Sequence, residues 1–339
     1  MEDKIDFVVT WLDSSDPEWQ QQYAYYKEQC TGRKEAARFR NMDIFQYWFR
    51  AVEQYAPWVH KVFLVTNGTF PKWINKEHPK LVLVRHSDYI PEELLPTFNS
   101  YTIEAFLHRI PGLSEQFVYF NDDMFLNASV LPETFFRDGL PCDSNAESLQ
   151  NVPIYSKEDG YGIYMSILAN IGVLNAHFDR RQTVRQSLKR WYGWHLGRRG
   201  LLLSLMLRRF KTFPGFRWRH FEQPLLKSVL EEASEKASEV LLATCTKFRG
   251  EVQIVPPYFF RYWQFASNRF YPMRLYKSKY LELSLSNLDR VERALHNSKV
   301  ISFCLNDTAE CPNEEYEIIN RELQRLLEQR FPTKSSYET

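Results

Sequence analysis

Two adjacent carboxylates that follow an apolar run are the residues of this sequence best suited to chemistry. The run from Phe117 to Phe120 is typical of a buried strand, and it leads directly into Asn121-Asp122-Asp123 before apolar residues resume. Burying such carboxylates without partners would be costly. At the carboxyl end of a strand in an α/β sheet, they are natural ligands for a hard cation such as Mg²⁺. A metal there usually serves a phosphate-bearing substrate, so the run indicates an enzyme with a nucleotide-linked donor. An exposed Asn-Asp turn is the alternative at this point.

The elements around this run predict a mostly parallel, doubly wound α/β sheet. Apolar runs rich in β-branched residues predict strands at Ile5 to Trp11, Lys61 to Thr66 and Leu81 to Arg85, ahead of the strand at 117–120. Helices are predicted from Pro17 with Asp16 as N-cap, and over Met42 to Ala56, Tyr101 to Ile110, Glu222 to Leu242 and Asn313 to Phe331. Strands that alternate with helices indicate a parallel sheet. The predicted class is therefore α/β and Rossmann-like, with a helical insertion and a helical C-terminal part, although no Gly-rich dinucleotide fingerprint or P-loop is present.

Three of the predicted strands end in polar clusters. These are Asp13 with Asp16, Asn67 with Gly68, and the Asn121–Asp123 run. Ligands of such sheets bind beyond the carboxyl ends of the strands. We therefore expect the three clusters to lie along one crevice.

Composition sets the outer limits of the function. The chain has 339 residues, 44% hydrophobic and 16% aromatic residues, and a net charge of +1, which gives no argument for nucleic-acid binding. We expect a donor-binding core over 1–178, a basic helical insertion over 179–219, and the rest of the same catalytic domain over 220–339. No opening signal sequence and no apolar run of about 18 residues are present. Five scattered cysteines are interpreted as reduced thiols, so a cytoplasmic protein is expected.

The segment 180–211 combines many cationic residues with aromatic and leucine side chains. Trp191, Tyr192, Trp194 and the run Leu201-Leu202-Leu203 interleave with the charges. One interpretation is a pair of basic amphipathic helices at the inner face of the cell membrane. The other is helices that pack on the domain and leave a solvated basic face, which is what amphipathicity more often reports. The cationic residues are Arg180, Arg181, Arg185, Lys189, Arg190, Arg198, Arg199, Arg208, Arg209 and Lys211.

Several segments, taken together and in order, resemble the Stealth family of sugar-phosphate transferases. Ile5 to Asp16 resembles the opening motif of the family, and Arg38-Phe39-Arg40 with Ala51 to Gly68 is similar to its second region. Segments between Phe98 and Asp123 are similar to its third region, and Cys304 to Glu338 to its fourth. The family includes bacterial capsular and exopolysaccharide phosphotransferases and the animal enzyme that transfers N-acetylglucosamine-1-phosphate to lysosomal glycoproteins. This chain resembles the compact bacterial kind.

Two departures from the family pattern leave individual roles open. Leu12 and Ser14 stand where the opening motif often has Val and Gly, and Asn41-Met42-Asp43 replaces the usual acidic residue followed by Asn.

The resemblance implies transfer of a hexose-1-phosphate from a nucleotide-diphosphate sugar, with a UDP-sugar as first choice. The acceptor would be a hydroxyl of a glycan or lipid-linked oligosaccharide, the product a phosphodiester, and the leaving group a nucleoside monophosphate. A metal-dependent glycosyltransferase that releases nucleoside diphosphate is the rival, since it shares the sheet and the paired aspartates. A non-enzymatic polyanion- or membrane-binding module built on 180–211 is a third hypothesis.

The resemblance also implies roles for particular residues. Asp122 and Asp123 would hold Mg²⁺ or Mn²⁺, His220 would act as general base, and Arg249 would grip phosphate oxygens. Asp123 is counted with the catalytic residues as well. On residue chemistry alone, a histidine held by local hydrogen bonds and a surface arginine are the simpler interpretations, and the family match favours the catalytic ones.

The remaining implied residues would bind the donor. Trp11 would stack on the base, Asp13 and Asp16 would accept ribose hydroxyls, and Gly68 would let the backbone approach closely. Asp16 could serve only as an N-cap, and Glu104 with His108 could form only a structural ion pair. The predicted donor-binding residues are Trp11, Asp13, Asp16, Arg38, Asn67, Gly68, Asn99, Glu104, His108 and Arg109.

Overall fold

The structure is a computed structural model, and it describes residues 4–32, 39–150, 162–250, 252–307 and 312–339. The strands in these ranges are β1 (Ile5–Thr10), β2 (Val62–Thr66), β3 (Leu81–Arg85), β4 (Gln116–Asn121), β5 (Met124–Leu126), β6 (Phe136–Arg137), β7 (Leu140–Asp143), β8 (Gln223–Leu226), β9 (Tyr271–Pro272), β10 (Ser278–Glu282) and β11 (Ser302–Asn306). The helices are α1 (Pro17–Gln29), α2 (Phe45–Tyr55), α3 (Ser100–Ala105), α4 (Pro132–Phe135), α5 (Gly162–His177), α6 (Arg180–Gln186), α7 (Leu188–Trp191), α8 (Gly197–Met206), α9 (Lys227–Lys236), α10 (Ser238–Thr244), α11 (Pro256–Ala266), α12 (Leu288–Leu295) and α13 (Asn313–Arg330).

A five-stranded sheet in the order β3-β2-β1-β4-β8 forms the centre of the fold. Its first four strands are parallel, and β8 runs antiparallel to β4 at one edge. Phe7, Val8 and Val9 of β1 are fully buried, as expected for a strand covered on both faces. The order reverses between β1 and β4, which is the topological switch point where ligands of open α/β sheets bind. The predicted α/β, mostly parallel, Rossmann-like class is confirmed.

A second, three-stranded sheet brings a late part of the chain beside the aspartates. It has the order β10-β11-β5, with β11 antiparallel to β5. The Leu305 amide of β11 donates to the Asp123 carbonyl at 2.9 Å, immediately before β5 begins. This pairing fixes the position of the turn that follows β4.

The C-terminal tail closes over α2. The Arg50 guanidinium, which is buried, pairs with Glu338 at 2.9 Å and with Glu328 at 2.9 Å, and it donates to the Phe331 carbonyl at 2.7 Å. Buried apolar residues of β1, α2, α5, α11 and α13 belong to one continuous core. The division at residues 178 and 219 stays a prediction.

One predicted helix is wrong at its start. The segment Glu222 to Leu242 was expected to be a single helix, but Gln223–Leu226 forms strand β8, and two helices follow with a break at Ala237. Pro224 is tolerated because edge strands do not need every ladder hydrogen bond. Pairing with β4 and burial of Leu225 and Leu226 therefore override the helical propensity of the neighbouring sequence.

Two other helices are shorter than predicted. Helix α2 begins at Phe45 rather than Met42, since Asp43 adopts a positive φ of 51° that a helix does not accommodate. Helix α3 ends at Ala105, and a separate 3₁₀ turn covers Leu107–Arg109. The strands β1, β2 and β3 and the helix α13 agree with prediction to within a residue at each end.

The basic segment folds as three short helices, α6, α7 and α8. A 3₁₀ turn at Trp194–Leu196 lies between α7 and α8, and another at Leu207–Arg209 follows α8. Arg180, which was counted with the basic surface, is instead wholly buried against Glu147. In the part of the chain that the structure describes, no helix combines the length and apolar character needed to cross a membrane.

Candidate active site

The three polar strand ends lie along one edge of the central sheet. Thr10, the last residue of β1, is in register with Val65 of β2 and with Asn121 of β4. The chain therefore leaves all three strands at the same level, into the loops that carry Asp13, Gly68 and Asp122. The three polar clusters thus follow neighbouring strands at one end of the sheet, as expected, and a crevice there stays a prediction.

Asp123, His220 and Cys304 form a compact side-chain cluster at this edge. One ligand atom from each of the three lies within 4.8 Å of the others. The His220 Nε2 atom is 3.5 Å from Asp123 Oδ2, and the Cys304 thiol donates to the same oxygen at 3.1 Å. The cluster thus joins residues that are almost two hundred positions apart in the chain, since β11 brings Cys304 and the segment ahead of β8 brings His220.

Cys304 acts in this cluster as a neutral donor. Burial, and then the Asp123 carboxylate, raise the pKa of the Cys304 thiol well above its usual range. The thiol therefore stays protonated and its S–H occupies Asp123 Oδ2. The other oxygen, Asp123 Oδ1, is buried and finds no hydrogen-bond partner among the described residues.

Asp122 lies beside the cluster but outside it. Its side chain is exposed, yet desolvation by the surrounding protein and then the Asp123 carboxylate raise the pKa of Asp122 to about 7. Solvent contact weakens that desolvation. Two carboxyls this close repel each other when both are ionised, and a cation would relieve that repulsion.

The carboxylate oxygens of Asp122 and Asp123 fit a hard divalent cation that also binds a phosphate substrate. Asp123 Oδ1 is an unused buried oxygen and Asp122 is an exposed carboxyl next to it. Mg²⁺ is usually held by one or two carboxylates, with substrate phosphates and water as the other ligands. A neutral, buried thiol is a poor ligand for such an ion, so we assign Cys304 to orienting Asp123.

His220 is oriented by a buried phenol. Its Nδ1 atom lies 3.1 Å from the Tyr258 hydroxyl, and its Nε2 atom faces Asp123. Burial raises the pKa of Tyr258 well above its usual range, so the phenol stays neutral. The hydrogen bond therefore fixes the ring plane and leaves Nε2 as the atom available for chemistry.

Glu104 accepts a hydrogen bond from a phenol of β4, Tyr119. Its Oε1 atom accepts from the Tyr119 hydroxyl at 3.0 Å, and that hydroxyl also lies 2.7 Å from Asn121 Oδ1. The Glu104 charge also contributes, after burial, to the raised pKa of Tyr258. Glu104 is buried, so this arrangement supports Asn121, which directly precedes Asp122 and Asp123.

Arg249 is held by the loop that Asn99 anchors. Its guanidinium donates to the Ser100 hydroxyl and stacks over the Tyr101 ring at 4.0 Å, while its Nε atom is buried without a described partner. The Asn99 amide donates to the Thr244 carbonyl at 3.2 Å, and its carbonyl caps α3. Asn99 is fully buried, so its contacts are with the protein.

The loop after β1 is tied to the loop after β2. Asp16 caps α1 through the Glu18 amide at 3.0 Å and also accepts a hydrogen bond from the Thr69 hydroxyl. Asp13 accepts from the Ser15 amide at 2.9 Å, which stabilises the turn. The N-cap alternative for Asp16 is therefore correct at the level of structure, and a ligand contact would be additional.

Gly68 and Trp11, two of the predicted substrate-binding residues, differ in how much open space lies beside them. Gly68 has a φ of 129°, which favours glycine, and open space where a side chain would stand. The neighbouring Asn67 Oδ1 is buried without a described partner. Trp11 is buried and stacks on Phe45 at 5.8 Å, so one face of its ring is already covered.

The structure does not bring His108 and Arg109 to this cluster. Lys227 lies close enough to His108 to lower its pKa, and the Lys227 amide donates to the Glu115 carbonyl, just before β4 begins. Both residues thus lie toward the opposite end of β4 from the aspartates. Burial, then Arg109 and Lys227, lower the pKa of His108 to about 4, so a neutral His108 forms no ion pair with Glu104. Arg38 lies outside the described residues.

Two residues at this site had no predicted role: Cys304 of the cluster, and Tyr258, which contacts His220. Cys304 belongs to a segment that the family resemblance includes, but nothing local links it to Asp123. Tyr258 lies in an aromatic run whose usual meaning is a packed core. Two grooves, of about 520 and 410 Å³, lie in the helical segment beside Arg181 and Arg185.

Two family models match this chain. The model described as Stealth protein CR2, conserved region 2, matches residues 38–142, and Stealth protein CR4, conserved region 4, matches residues 292–339. The second match confirms the predicted fourth region. The first includes the segments between Phe98 and Asp123, so their prediction as the third region is wrong. These segments follow β3 and continue through β4 in the same sheet, which explains why they form one unit with region 2.

Curated bacterial relatives match over the whole length. The capsular polysaccharide phosphotransferase WcwK of Streptococcus pneumoniae is 36% identical and the alignment covers 100% of both chains. The receptor polysaccharide phosphotransferase WefC of Streptococcus gordonii is 34% identical, again over 100% of both. The exopolysaccharide phosphotransferase cps2G of Lactiplantibacillus plantarum is 35% identical over 98% of this chain and 96% of its own.

Among solved structures, the glycosyltransferase GlyE of Streptococcus pneumoniae TIGR4 aligns with 98% of this chain and 80% of its own, at 14% identity and a TM-score of 0.24. A score this low carries no argument about fold or function.

Proposed function

Because this chain belongs to the Stealth family and is a phosphotransferase of that family, we propose that it transfers a hexose-1-phosphate to a polysaccharide acceptor. The donor is a nucleotide-diphosphate sugar, with a UDP-sugar as first choice. The acceptor is a hydroxyl of a glycan or a lipid-linked oligosaccharide. The product is a phosphodiester, and nucleoside monophosphate is released.

The observation that carries this proposal is the approach of His220 Nε2 to within 3.5 Å of Asp123 at the switch point of the sheet. A proton acceptor and an anionic ligand group are thus held together where such folds bind nucleotides. Full-length relatives named as phosphotransferases support the same reaction class.

In the proposed reaction the acceptor oxygen attacks the β-phosphorus of the donor. A bond forms between that oxygen and the β-phosphorus, and the bond from the β-phosphorus to the oxygen that bridges to the α-phosphorus breaks. The acceptor proton goes to His220 Nε2, and nucleoside monophosphate leaves with the bridging oxygen. Such transfers depend on positioning and charge neutralisation more than on covalent help from the protein.

The Tyr258 contact supports the role of His220 as base. When Nδ1–H donates to the Tyr258 hydroxyl oxygen, Nε2 carries a lone pair and faces the reacting groups. After the proton transfer, the nearby Asp123 carboxylate stabilises the imidazolium.

Asp122 and Asp123 would hold Mg²⁺ or Mn²⁺, which when bound neutralises charge on the diphosphate. Arg249 would add a planar cationic donor for phosphate oxygens. The loops with Asp13, Asp16, Asn67 and Gly68 would contact the nucleotide.

The proposed setting is the cytoplasm, at the inner face of the cell membrane. The four cysteines in the described ranges are free thiols, which supports a reducing compartment.

A nucleotide-release assay tests the proposal. The protein is incubated with a panel of nucleotide sugars, Mg²⁺ and polysaccharide acceptor, and the released nucleotide is identified by chromatography. We expect nucleoside monophosphate, and no release from Asp123→Asn. Asp138→Asn is the matched control, because Asp138 is an exposed aspartate in the turn between β6 and β7. Release of nucleoside diphosphate would instead indicate an ordinary glycosyltransferase.

A further inference from the structure

Helix α8 exposes three of its five apolar residues and buries Gly200 and Ser204. Leu202, Leu205 and Met206 share one face at i, i+3 and i+4, and they are 60%, 45% and 69% exposed. Gly200 and Ser204, on the opposite face, are buried. A helix that packs on a domain core shows the reverse pattern. The exposed side of α8 therefore carries apolar residues as well as basic ones, which a solvated basic face alone does not account for.

Other large side chains extend this apolar surface. Trp194, in the turn before α8, is 82% exposed, and Leu188 and Phe210 on either side of the helix are also exposed. Single exposed apolar residues are ordinary on protein surfaces, but a group of them within one short segment marks an interaction site.

The charge around these side chains is of one sign. The sequence from Arg180 to Phe221 contains no Asp or Glu. Seven of the ten cationic residues between 180 and 211 are exposed, and none of these seven forms an ion pair with a residue the structure describes. The chain as a whole has a net charge of only +1, so the rest of it is net negative. The cationic charge is therefore concentrated on the segment that exposes the apolar residues.

The same segment contains a groove suited to an anionic headgroup. The groove has a volume of about 410 Å³, and four of its lining residues are Arg181, Arg185, Arg208 and Arg209. Leu188 and Tyr192 also line it. Guanidinium groups beside apolar side chains match a phosphate attached to acyl chains.

Buried contacts hold this surface in a fixed shape. The Arg180 guanidinium pairs with Glu147 at 2.5 Å and donates to the Leu207 carbonyl at 2.7 Å, just beyond the end of α8. The Trp191 indole donates to Asn268 Oδ1 at 2.9 Å. The exposed apolar side chains are thus presented by the fold.

We propose that the apolar-basic surface of residues 181–211 docks on an anionic lipid membrane. Trp194, Leu202 and Met206 enter the interface between headgroups and acyl chains, and the arginine groove holds a lipid phosphate. Apolar side chains flanked by arginine and lysine are the composition of helices that lie in the plane of a membrane surface. This proposal does not rest on the transferase reaction.

A vesicle flotation assay tests it. Wild-type protein is mixed with vesicles of equal parts phosphatidylcholine and phosphatidylglycerol, or of phosphatidylcholine alone. We expect binding only to the anionic vesicles, and weaker binding at high salt. The triple variant Trp194→Gln/Leu202→Gln/Met206→Gln is expected to lose binding by roughly tenfold or more. Arg185→Gln/Arg208→Gln is expected to lose roughly 30-fold, since one cation near an anionic surface contributes roughly five-fold.

Matched variants at exposed positions elsewhere provide the controls. Tyr25→Gln/Leu131→Gln/Ile318→Gln removes three apolar side chains that are 60%, 66% and 52% exposed, and Lys72→Gln/Lys76→Gln removes two exposed cations. Both are expected to bind anionic vesicles like wild type, and circular dichroism melting confirms that every variant is folded.

Three outcomes would overturn the proposal. Wild type could fail to float with anionic vesicles, or the surface variants could float as wild type does. The surface variants could also alter self-association by light scattering, or binding to soluble dextran sulfate, without changing flotation. That result would assign the surface to a second copy of the chain or to a soluble polyanion.

Discussion

The aspartate cluster and the apolar-basic surface are built in opposite ways. The cluster joins Asp123, His220 and Cys304 from three distant parts of the chain, and it concentrates acceptor atoms, one of them buried and unused. The apolar-basic surface is a single stretch of sequence that is exposed and cationic. We therefore expect the first region to bind a cation and a phosphate, and the second to bind an anionic surface.

The two regions should therefore be sensitive to substitutions in different parts of the chain. The cluster depends on the β4–β1 and β11–β5 pairings, so a change far away in sequence can disturb it. The surface depends on local helix geometry and on a few anchors such as Arg180. We therefore expect substitutions to separate catalysis from membrane binding.

Removal of His220 should have the largest effect. His220→Ala is expected to lower kcat by about 10³-fold, because general base catalysis contributes typically 10²–10⁴-fold. Donor binding, measured by isothermal titration calorimetry, and vesicle flotation are both expected to survive. His296→Ala, at an exposed position in the C-terminal part, is the control. Near-normal turnover in His220→Ala would show that another group takes the acceptor proton.

Arg50 should matter for stability and not for chemistry. Arg50→Gln leaves the buried Glu338 without its cation, and we expect a loss of about 3 kcal/mol in the free energy of unfolding. Burial alone would raise the pKa of Glu338, but hydrogen bonds from Arg50 and the Ser335 amide, with the Arg50 charge, outweigh it and lower that pKa.

The pH dependence of this pair has a definite sign. Because the folded-state pKa of Glu338 lies below its unfolded value, the stabilisation is complete above about pH 4.3 and is lost as pH falls through the lower folded value. Urea unfolding of wild type and Arg50→Gln across this range should show the two curves converging toward acid. Parallel curves at all pH values would contradict the assignment, and Arg325→Gln, in an exposed pair, should change little.

Loss of the Tyr258 hydroxyl should have the smallest effect of the three. Tyr258→Phe keeps the buried ring but frees His220 Nδ1, so we expect kcat to fall about tenfold with little change in donor KM. The pH profile of kcat should also shift, which a merely structural role of the hydroxyl would not cause. Tyr271→Phe, at a ring whose hydroxyl has no contact with the cluster, is the comparison variant.

The sequence predicts what depends on local pattern. The apolar run into Asp122-Asp123 and the alternation of strands and helices lead to the sheet and to its carboxyl edge. Strand β8 was predicted as helix, because its pairing with β4 overrides the local helix propensity. Cys304 and Tyr258 escape prediction because only the β11–β5 pairing and the packing of α11 place them at the cluster.

For the apolar-basic surface, the sequence shows the composition but does not show which side chains are exposed. Its composition is plain in the sequence, but amphipathicity does not say which face is buried. The burial of Gly200 and Ser204, with Leu202 and Met206 left exposed, is the observation that supports the proposed membrane surface.

The fate of the donor β-phosphorus tests the central proposal most directly. A nucleotide sugar that is radiolabelled at the β-phosphorus is incubated with the protein, Mg²⁺ and acceptor, and the label is followed by size separation. We predict that the label enters the polysaccharide together with the sugar, and that Asp123→Asn abolishes this incorporation. Label that stays with the released nucleotide while the sugar enters the polysaccharide would contradict the proposal.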